Sequence, residues 1–281
     1  NEDAEAIART VNQPLPVADF DKLFSSDNFK DARSHFEAMA GAGDRAVTGQ
    51  DKYIHHLCRP ERLLELARQF LVYDQGVKKI ARYQQFFTVK SLMQRVKNSD
   101  EAGKRTGGVV WHTQGSGKSI TMVMLAKALI LEKEILNPRI VLVTDRIDLD
   151  QQICNTFRQC GCEPIQAKTG QHLVEVMSGD KEMVVTTLVQ KFKAALSKRK
   201  FKNESPNIFL LVDESHRSQY GEAHTKMQMM FPNGCYVGFT GTPLFGKDKN
   251  TARKFGGLVD PTYTIDRAVE DKAVVRLLYE A

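Results

Sequence analysis

The 281 residues carry 40 Lys and Arg against 34 Asp and Glu, a net charge of +6, with 42% hydrophobic content. That is material for about two domains with a substantial core, and a charge compatible with a polyanionic partner without requiring one. No apolar run approaches the roughly 18 residues that span a bilayer and no segment reads as a signal peptide, so neither a membrane partner nor secretion is expected.

The first stretch, to about Gln50, is weakly patterned and shows no site. Pro14, Pro16 and Gly41-Ala-Gly43 punctuate it, with short helices around Lys22 and Ala32–Met39. From Arg59 the pattern sharpens. Pro60 suits a first helical position, and Leu63, Leu64, Ala67, Phe70 and Leu71 form a helical stripe expected to pack as core. Arg82-Tyr83-Gln84-Gln85 then opens a helix running through Arg95. This Arg-x-x-Gln resembles the adenine-reading motif of superfamily 2 helicases, and a glutamine amide can pair with the N6 and N7 edge of adenine; the resemblance implies that role for Gln85, with Gln84 second.

Next comes an apolar run, Gly107-Gly-Val-Val-Trp111, then His112-Thr113-Gln114-Gly115-Ser116-Gly117-Lys118-Ser119, then an apolar segment to Ile130. This reads as a buried strand, a turn and a helix. Gly115 and Gly117 let successive N–H groups converge on one concavity at the positive end of the helix, and Lys118 adds a cation. Thr113 to Ser119 thus form a polyphosphate-binding P-loop, with Lys118 on the β/γ-phosphates of ATP and the Ser119 hydroxyl on Mg²⁺. One departure stands out: His112 occupies the place of the first glycine in G-x-x-x-x-G-K-[ST].

Arg139–Thr144 reads as a fully buried strand, and Asp145-Arg146-Ile-Asp148 turns into a helix with Asp148 as N-cap and Gln151 three residues on. Short strands at Glu163–Ala167 and Glu182–Thr186 alternate with helices around Val174 and Val189–Phe192. Lys191, Lys193, Lys198, Arg199, Lys200 and Lys202 make the most basic run, interleaved with Phe192 and Phe201. It is either a solvated helix end and loop or a contact with a nucleic-acid backbone. Ile208–Val212 is a buried strand ending in Asp213-Glu214-Ser215-His216. In a parallel sheet ligands sit at the carboxyl ends of strands, so Asp213 is expected to hold Mg²⁺ and Glu214 to orient and deprotonate water. The last strand, Cys235–Phe239, ends in Thr240-Gly241-Thr242-Pro243, and Tyr263–Tyr279 opens a further helix and strand. Strands alternating with helices predict an α/β fold, a mostly parallel sheet with helices on both faces, preceded by a helical segment. The five cysteines lack metal-site spacing and are expected to be reduced thiols.

Gly115–Ser119, Asp213–His216 and Thr240–Pro243, in that order, resemble motifs I, II and III of superfamily 2 helicases, and the arginine and glutamines before them resemble its adenine-reading motif. Asp145-Arg146 and Thr186-Thr187 sit where its DNA-contacting motifs lie. The longer strings Trp111–Ser119, Thr144–Leu149, Phe239–Phe245, Ile265–Asp271 and Lys79–Gln85 are similar to the R (restriction) subunit of type I restriction–modification enzymes, a resemblance that covers about residues 60 to 281 and in which His112 is no anomaly. It implies a RecA-like P-loop NTPase and a cytoplasmic, prokaryotic motor that pulls double-stranded DNA with ATP and Mg²⁺, working with methyltransferase (M) and specificity (S) subunits. It places Lys118, Asp213, Glu214 and His216 in the catalytic set, and Thr240, Gly241 and Thr242 in coupling. Arg146, Thr187, Lys191, Lys198, Arg199 and Lys200 fall to DNA. The expected organisation is a helical preface over 1–75, a first motor domain over 76–262, and over 263–281 the start of a connection to a second motor domain, the whole cut from a longer subunit. No nuclease centre is expected here: Glu270-Asp-Lys272 matches one only by letters. A helicase or remodeller unconnected with restriction shares every one of these motifs. A small-molecule kinase and a non-catalytic nucleotide-binding module fit less well, given Asp213, Glu214 and Thr240–Pro243.

Overall fold

The computed structural model describes residues 4–101, 103–179, 183–198, 201–213, 220–242, 252–253 and 255–275. The chain divides into two compact units, Asn1–Ala67 and Arg68–Ala281. The first unit is helical: α1 (Ala4–Asn12), α2 (Val17–Leu23), α3 (Lys30–Gly41), α4 (Gly49–Cys58) and α5 (Pro60–Gln69), whose last turn enters the second unit. Polar ties substitute for a deep core here. The Asn12 amide donates to the Arg45 carbonyl and accepts its N–H. The Arg45 guanidinium grips both oxygens of Asp51 at 2.7 and 2.8 Å, and Asp51 closes a capping box with Thr48 at the start of α4. That guanidinium holds the Asp51 carboxyl well below the usual carboxylate range.

The stripe expected on α5 is only partly buried. Leu63 and Leu64 are exposed, while Leu66 and Phe70 are covered. The helix stops at Gln69, so Phe70 leaves it, and its ring packs 4.5 Å from that of Phe86.

The second unit begins with a hairpin, β1 (Leu71–Asp74) and β2 (Val77–Ile80), a strand pair outside the helical reading of this region. Then α6 (Tyr83–Lys97) leads to β3 (Gly108–Trp111), α7 (Lys118–Leu131), β4 (Arg139–Thr144), α8 (Ile147–Gln159), β5 (Ile165–Gln166), α9 (Gly170–Ser178), β6 (Val184–Leu188), α10 (Gln190–Lys198), β7 (Ile208–Asp213), α11 (Tyr220–Met230), β8 (Cys235–Thr240) and α12 (Ile265–Glu270). The six strands β3-β8-β7-β4-β6-β5 form one sheet in that order, every pair parallel. The path from β3 to β4 to β5 advances across the sheet, whereas β5 to β6 to β7 to β8 runs back. Right-handed crossovers therefore put α7 and α8 on one face and α9, α10 and α11 on the other. Both faces are covered, which is why β4 and β8 are buried at all six positions and read as unbroken apolar runs. On the α9–α11 side Phe192, Leu173, Met227 and Phe231 close over Val185, Leu210 and Val212.

Residues 255–263 run as a strap along the outer edge of β3. Val109 N–H donates to Gly257 O, Val259 N–H to Val109 O, Tyr263 N–H to Trp111 O and Thr113 N–H to Tyr263 O, all at 2.8–2.9 Å. Arg95 of α6 adds bonds to the carbonyls of Gly256 and Leu258. The strap satisfies an edge that would otherwise present unpaired backbone groups.

Candidate nucleotide site

All six strands of the main sheet point their carboxyl ends the same way, and the register sets the site residues level with one another. Val110 pairs with Phe239, and Phe239 with Asp213; Trp111 pairs with Thr240. Asp213, the turn after β3 and Thr240 therefore share one end of the sheet. The turn itself has the shape that its glycines predict. Gly115 and Gly117 take φ of 80° and 87°, the left-handed region that side chains avoid, and Gly117 is the N-cap of α7. The Ser116 hydroxyl, buried, donates to Thr113 O at 2.7 Å and braces the loop from inside. Lys118 and Ser119 open the helix, whose positive end faces the concavity.

Two further pieces meet the turn. Gln85 donates from Nε2 to Gly117 O at 3.3 Å while its Oε1 accepts the Arg82 N–H at 2.9 Å, so one side chain caps α6 and braces the nest. Contact is close enough that a Cβ at 117 would lie 2.7 Å from Gln85 Nε2. Gln84, the second candidate, is 1% exposed and faces the interior. From the other side comes Gly241. A Cβ there would sit 3.0 Å from Lys118 Nζ and 3.4 Å from Gln114 N, so the Thr240-Gly241-Thr242 turn lies directly against the lysine. Thr240 is fully buried, and its hydroxyl accepts the Thr242 N–H at 3.2 Å.

His112 explains why a histidine can stand in the first glycine's place. It is fully buried, its N–H donates to Thr240 O at 3.0 Å, and its Nε2 lies 2.9 Å from the Thr88 hydroxyl. The ring is thus a strut between α6, β8 and the turn. Burial, with Lys118 close by, pushes its pKa down to about 4.

A polar cleft of about 610 Å³ opens beside Gly117 and Ser119, walled by Asp74 and Gln75 of the hairpin tip and by Asp148, Gln151 and Asn155 of α8. Among the described residues no group of three or more His, Cys, Asp and Glu could hold a metal by itself. A hydroxyl in the first turn of α7 and a carboxylate at the end of β7 are the kind of sparse oxygen set that Mg²⁺ uses alongside phosphate and water, so the chemistry of Ser119 and Asp213 suits that ion.

The remaining sequence candidates divide. Glu214 and His216 lie outside the described residues, as do Arg199, Lys200 and the side chain of Lys198. Arg146, rather than Asp148, is the N-cap of α8: the helix starts at Ile147, and Asp148 instead binds the Arg146 guanidinium at 2.7 and 3.1 Å. Thr187 is fully buried in β6. The Lys191 ammonium donates to the Ala167 carbonyl.

The family profile of the SWI2/SNF2 ATPases matches residues 84–281. Among curated proteins, the chain is 33% identical over 280 residues to a putative type I restriction enzyme endonuclease subunit, MjaIXP, of Methanocaldococcus jannaschii, covering 95% of this chain and 27% of that one. It is 37% identical over 252 residues to the HindI type I restriction enzyme endonuclease subunit of Haemophilus influenzae, covering 81% and 24%. The chain thus spans about a quarter of the length of these relatives. Among solved structures, the Sulfolobus solfataricus SWI2/SNF2 ATPase core in complex with dsDNA superposes with a TM-score of 0.50 at 14% identity, over 70% of this chain and 38% of that one. A nuclease-deletion mutant of the Type ISP restriction-modification enzyme LlaGI, in complex with a DNA substrate mimic, gives 0.51 at 18% identity, over 69% and 21%. Both share the fold.

Proposed function

This chain belongs to the SWI2/SNF2 ATPase family, and from that premise we propose that it is the ATP-binding motor portion of a type I restriction endonuclease subunit, drawing double-stranded DNA past a complex that includes M and S subunits. The observation that carries the nucleotide part is the contact between the two halves of the site: Lys118, at the mouth of the glycine nest, lies against Gly241. A cation shared between the phosphate cradle and the Thr240–Thr242 turn could carry a change at the phosphates to β8. The restriction part is supported by the curated relatives, which match at 33% and 37% identity.

In this reading the N–H groups of Gly115 to Ser119 bind the phosphates and Lys118 neutralises charge on them. Ser119 and Asp213 hold Mg²⁺, which when bound offsets charge on the phosphate oxygens. Glu214 orients and deprotonates the attacking water, with His216 beside it in sequence. Gln85 reads the base by exchanging its Gly117 bond for one to adenine. Arg146 and the basic run after Lys191 face the DNA backbone.

The test pairs two variants. Lys118→Ala should weaken ATP binding at least tenfold in a calorimetric titration, a loss of about 1.4 kcal/mol. Glu214→Gln should bind ATP like the wild type and turn over at least about a hundredfold more slowly in the intact complex, because proton transfer alone contributes roughly 10²–10⁴. Equal loss of binding in both would reverse the assignment. An intact complex that hydrolyses ATP without displacing a triplex-forming strand ahead of it would remove the translocase reading.

A further inference from the structure

A second cluster ties the nest to the segment that follows the strap. The Tyr83 hydroxyl donates to Asp271 Oδ2 at 2.6 Å, and the Tyr263 hydroxyl donates to the same oxygen at 2.9 Å. The two rings stand 6.2 Å apart and nearly perpendicular. Tyr263 is buried, with its ring edge toward His112 at 5.9 Å. Two hydroxyls on one carboxylate oxygen make a pair of charge-assisted bonds. Each partner is shifted accordingly: burial and the Asp271 bond push both phenols up to about 12, and the two phenols hold the Asp271 carboxyl down.

Each of the three residues belongs to a different part of the site. Tyr83 opens α6 two residues before Gln85, the side chain that braces Gly117. Tyr263 is fixed by its backbone to Trp111 and to Thr113, on either side of His112. Asp271 is the C-cap of α12, its N–H bonded to Arg267 O. One carboxylate therefore fastens α12 to both flanks of the nest. The cleft beyond Thr113 and Gln114, of about 840 Å³, has Ile265, Asp266, Val269 and Val274 as its other wall, and a Cβ on Gly115 would meet Val274 Cγ1 at 3.5 Å. Releasing α12 would open the nest along that side.

We propose that Asp271 is a positioning residue of the nucleotide site: through Tyr83 and Tyr263 it locks α12 against the P-loop, so that a bound nucleotide and a docked α12 stabilise one another. The proposal rests on the reading of the nest as an ATP site. Coupling of this kind is reciprocal: whatever factor the clasp adds to ATP affinity, ATP adds to the docking of α12. The nucleotide then reaches the chain beyond residue 270 through side chains as well as through β8.

The experiment uses the full chain, with ATP affinity from calorimetry and amide hydrogen exchange across residues 265–271, with and without ATP. In the wild type, ATP should slow exchange in α12. Tyr83→Phe removes one half-exposed hydroxyl and keeps the ring. It should weaken ATP about two- to fivefold and reduce the ATP-induced protection of α12 by a matching factor. Asp271→Asn keeps the shape and removes the charge, and should weaken ATP about three- to tenfold; adding Tyr263→Phe should cost little more, since the same bond is already weakened. If both single variants bind ATP as the wild type does and show the same α12 protection, the clasp plays no part in the site and the proposal is overturned. If the wild type itself does not bind ATP, the nucleotide reading fails and takes the proposal with it. Should Asp271→Asn not fold, Tyr83→Phe decides alone.

Discussion

His112 shows at the level of one residue how much a local departure from a motif depends on partners far along the chain. The sequence marks the position, because a histidine stands where a glycine is usual, but its role needs Thr88, Tyr263 and Thr240, none of them a sequence neighbour. Its Nδ1 has no hydrogen-bond partner among the described residues, and with Lys118 nearby a proton there would be costly. The native state therefore keeps the ring neutral down to about pH 4, whereas an unfolded histidine takes up a proton near 6.5. The unfolded chain binds more protons between those values, so stability is full above pH 6.5 and falls as pH drops toward 4. The loss assignable to this residue is about 2 kcal/mol at pH 5. Urea unfolding at pH 7 and pH 5 checks it: His112→Gln should show a pH dependence smaller than the wild type's by about that amount. Identical pH dependence in the two proteins would mean that His112 is protonated as readily in the fold as outside it.

Among the elements, the approach of the chain entering β3 to β8 depends on one glycine. At Gly107 a Cβ would lie 1.8 Å from the Tyr236 carbonyl oxygen and 3.2 Å from that of Phe255, both backbone atoms that cannot turn aside. Gly107→Ala should therefore cost about 3 kcal/mol or more, at the top of the range for overpacking. Gly76→Ala, at the hairpin tip, meets open space but keeps a φ of 79°, and should cost only about 1 kcal/mol. Denaturant midpoints of the two variants test that order, and equal losses would mean the strands can part without penalty. The same elements show which parts of the fold were legible. Strands β3, β4, β7 and β8 were readable because burial on both faces turns each into a continuous apolar run. The hairpin was not, since only Val72 of its eight strand residues is buried. The strap along β3 was invisible for a different reason: its bonds to β3 run through backbone groups, which leave no periodicity in the side chains. The α5 stripe differs from its sequence pattern because the adjacent Leu63 and Leu64 mark a face that the helix leaves exposed. In the candidate site, the glycine turn before α7 and the strand ending at Asp213 are legible from spacing, while the Tyr83–Asp271–Tyr263 cluster joins positions that only the fold brings together.

For the molecule as a whole, the net charge of +6 bears on DNA only through where the cations stand. The described residues of the basic run separate sharply. Lys191 gives its ammonium to the Ala167 carbonyl, Lys202 pairs with Glu204 at 2.5 Å, and Lys193 is exposed on α10. Arg146, exposed at the start of α8, already holds Asp148, so a phosphate would have to compete with a carboxylate there. Such an exposed pair contributes at most about 1 kcal/mol, which a polyanion can outbid. With DNA as the proposed partner, Arg146 and Lys193 should act as backbone contacts and Lys191 as a structural residue. Counterion release gives each true phosphate contact a share of about 0.9 in the slope of log affinity against log salt, for any sequence. Arg146→Ala and Lys193→Ala should each reduce that slope by about 1 on duplexes of unrelated sequence. Lys191→Ala should leave the slope unchanged and instead lower the unfolding midpoint, because the Ala167 carbonyl loses its donor. Slopes that remain the same in all three variants would mean that the DNA touches neither Arg146 nor Lys193, and a reduced slope for Lys191→Ala alone would mean that its bond to Ala167 gives way when DNA binds.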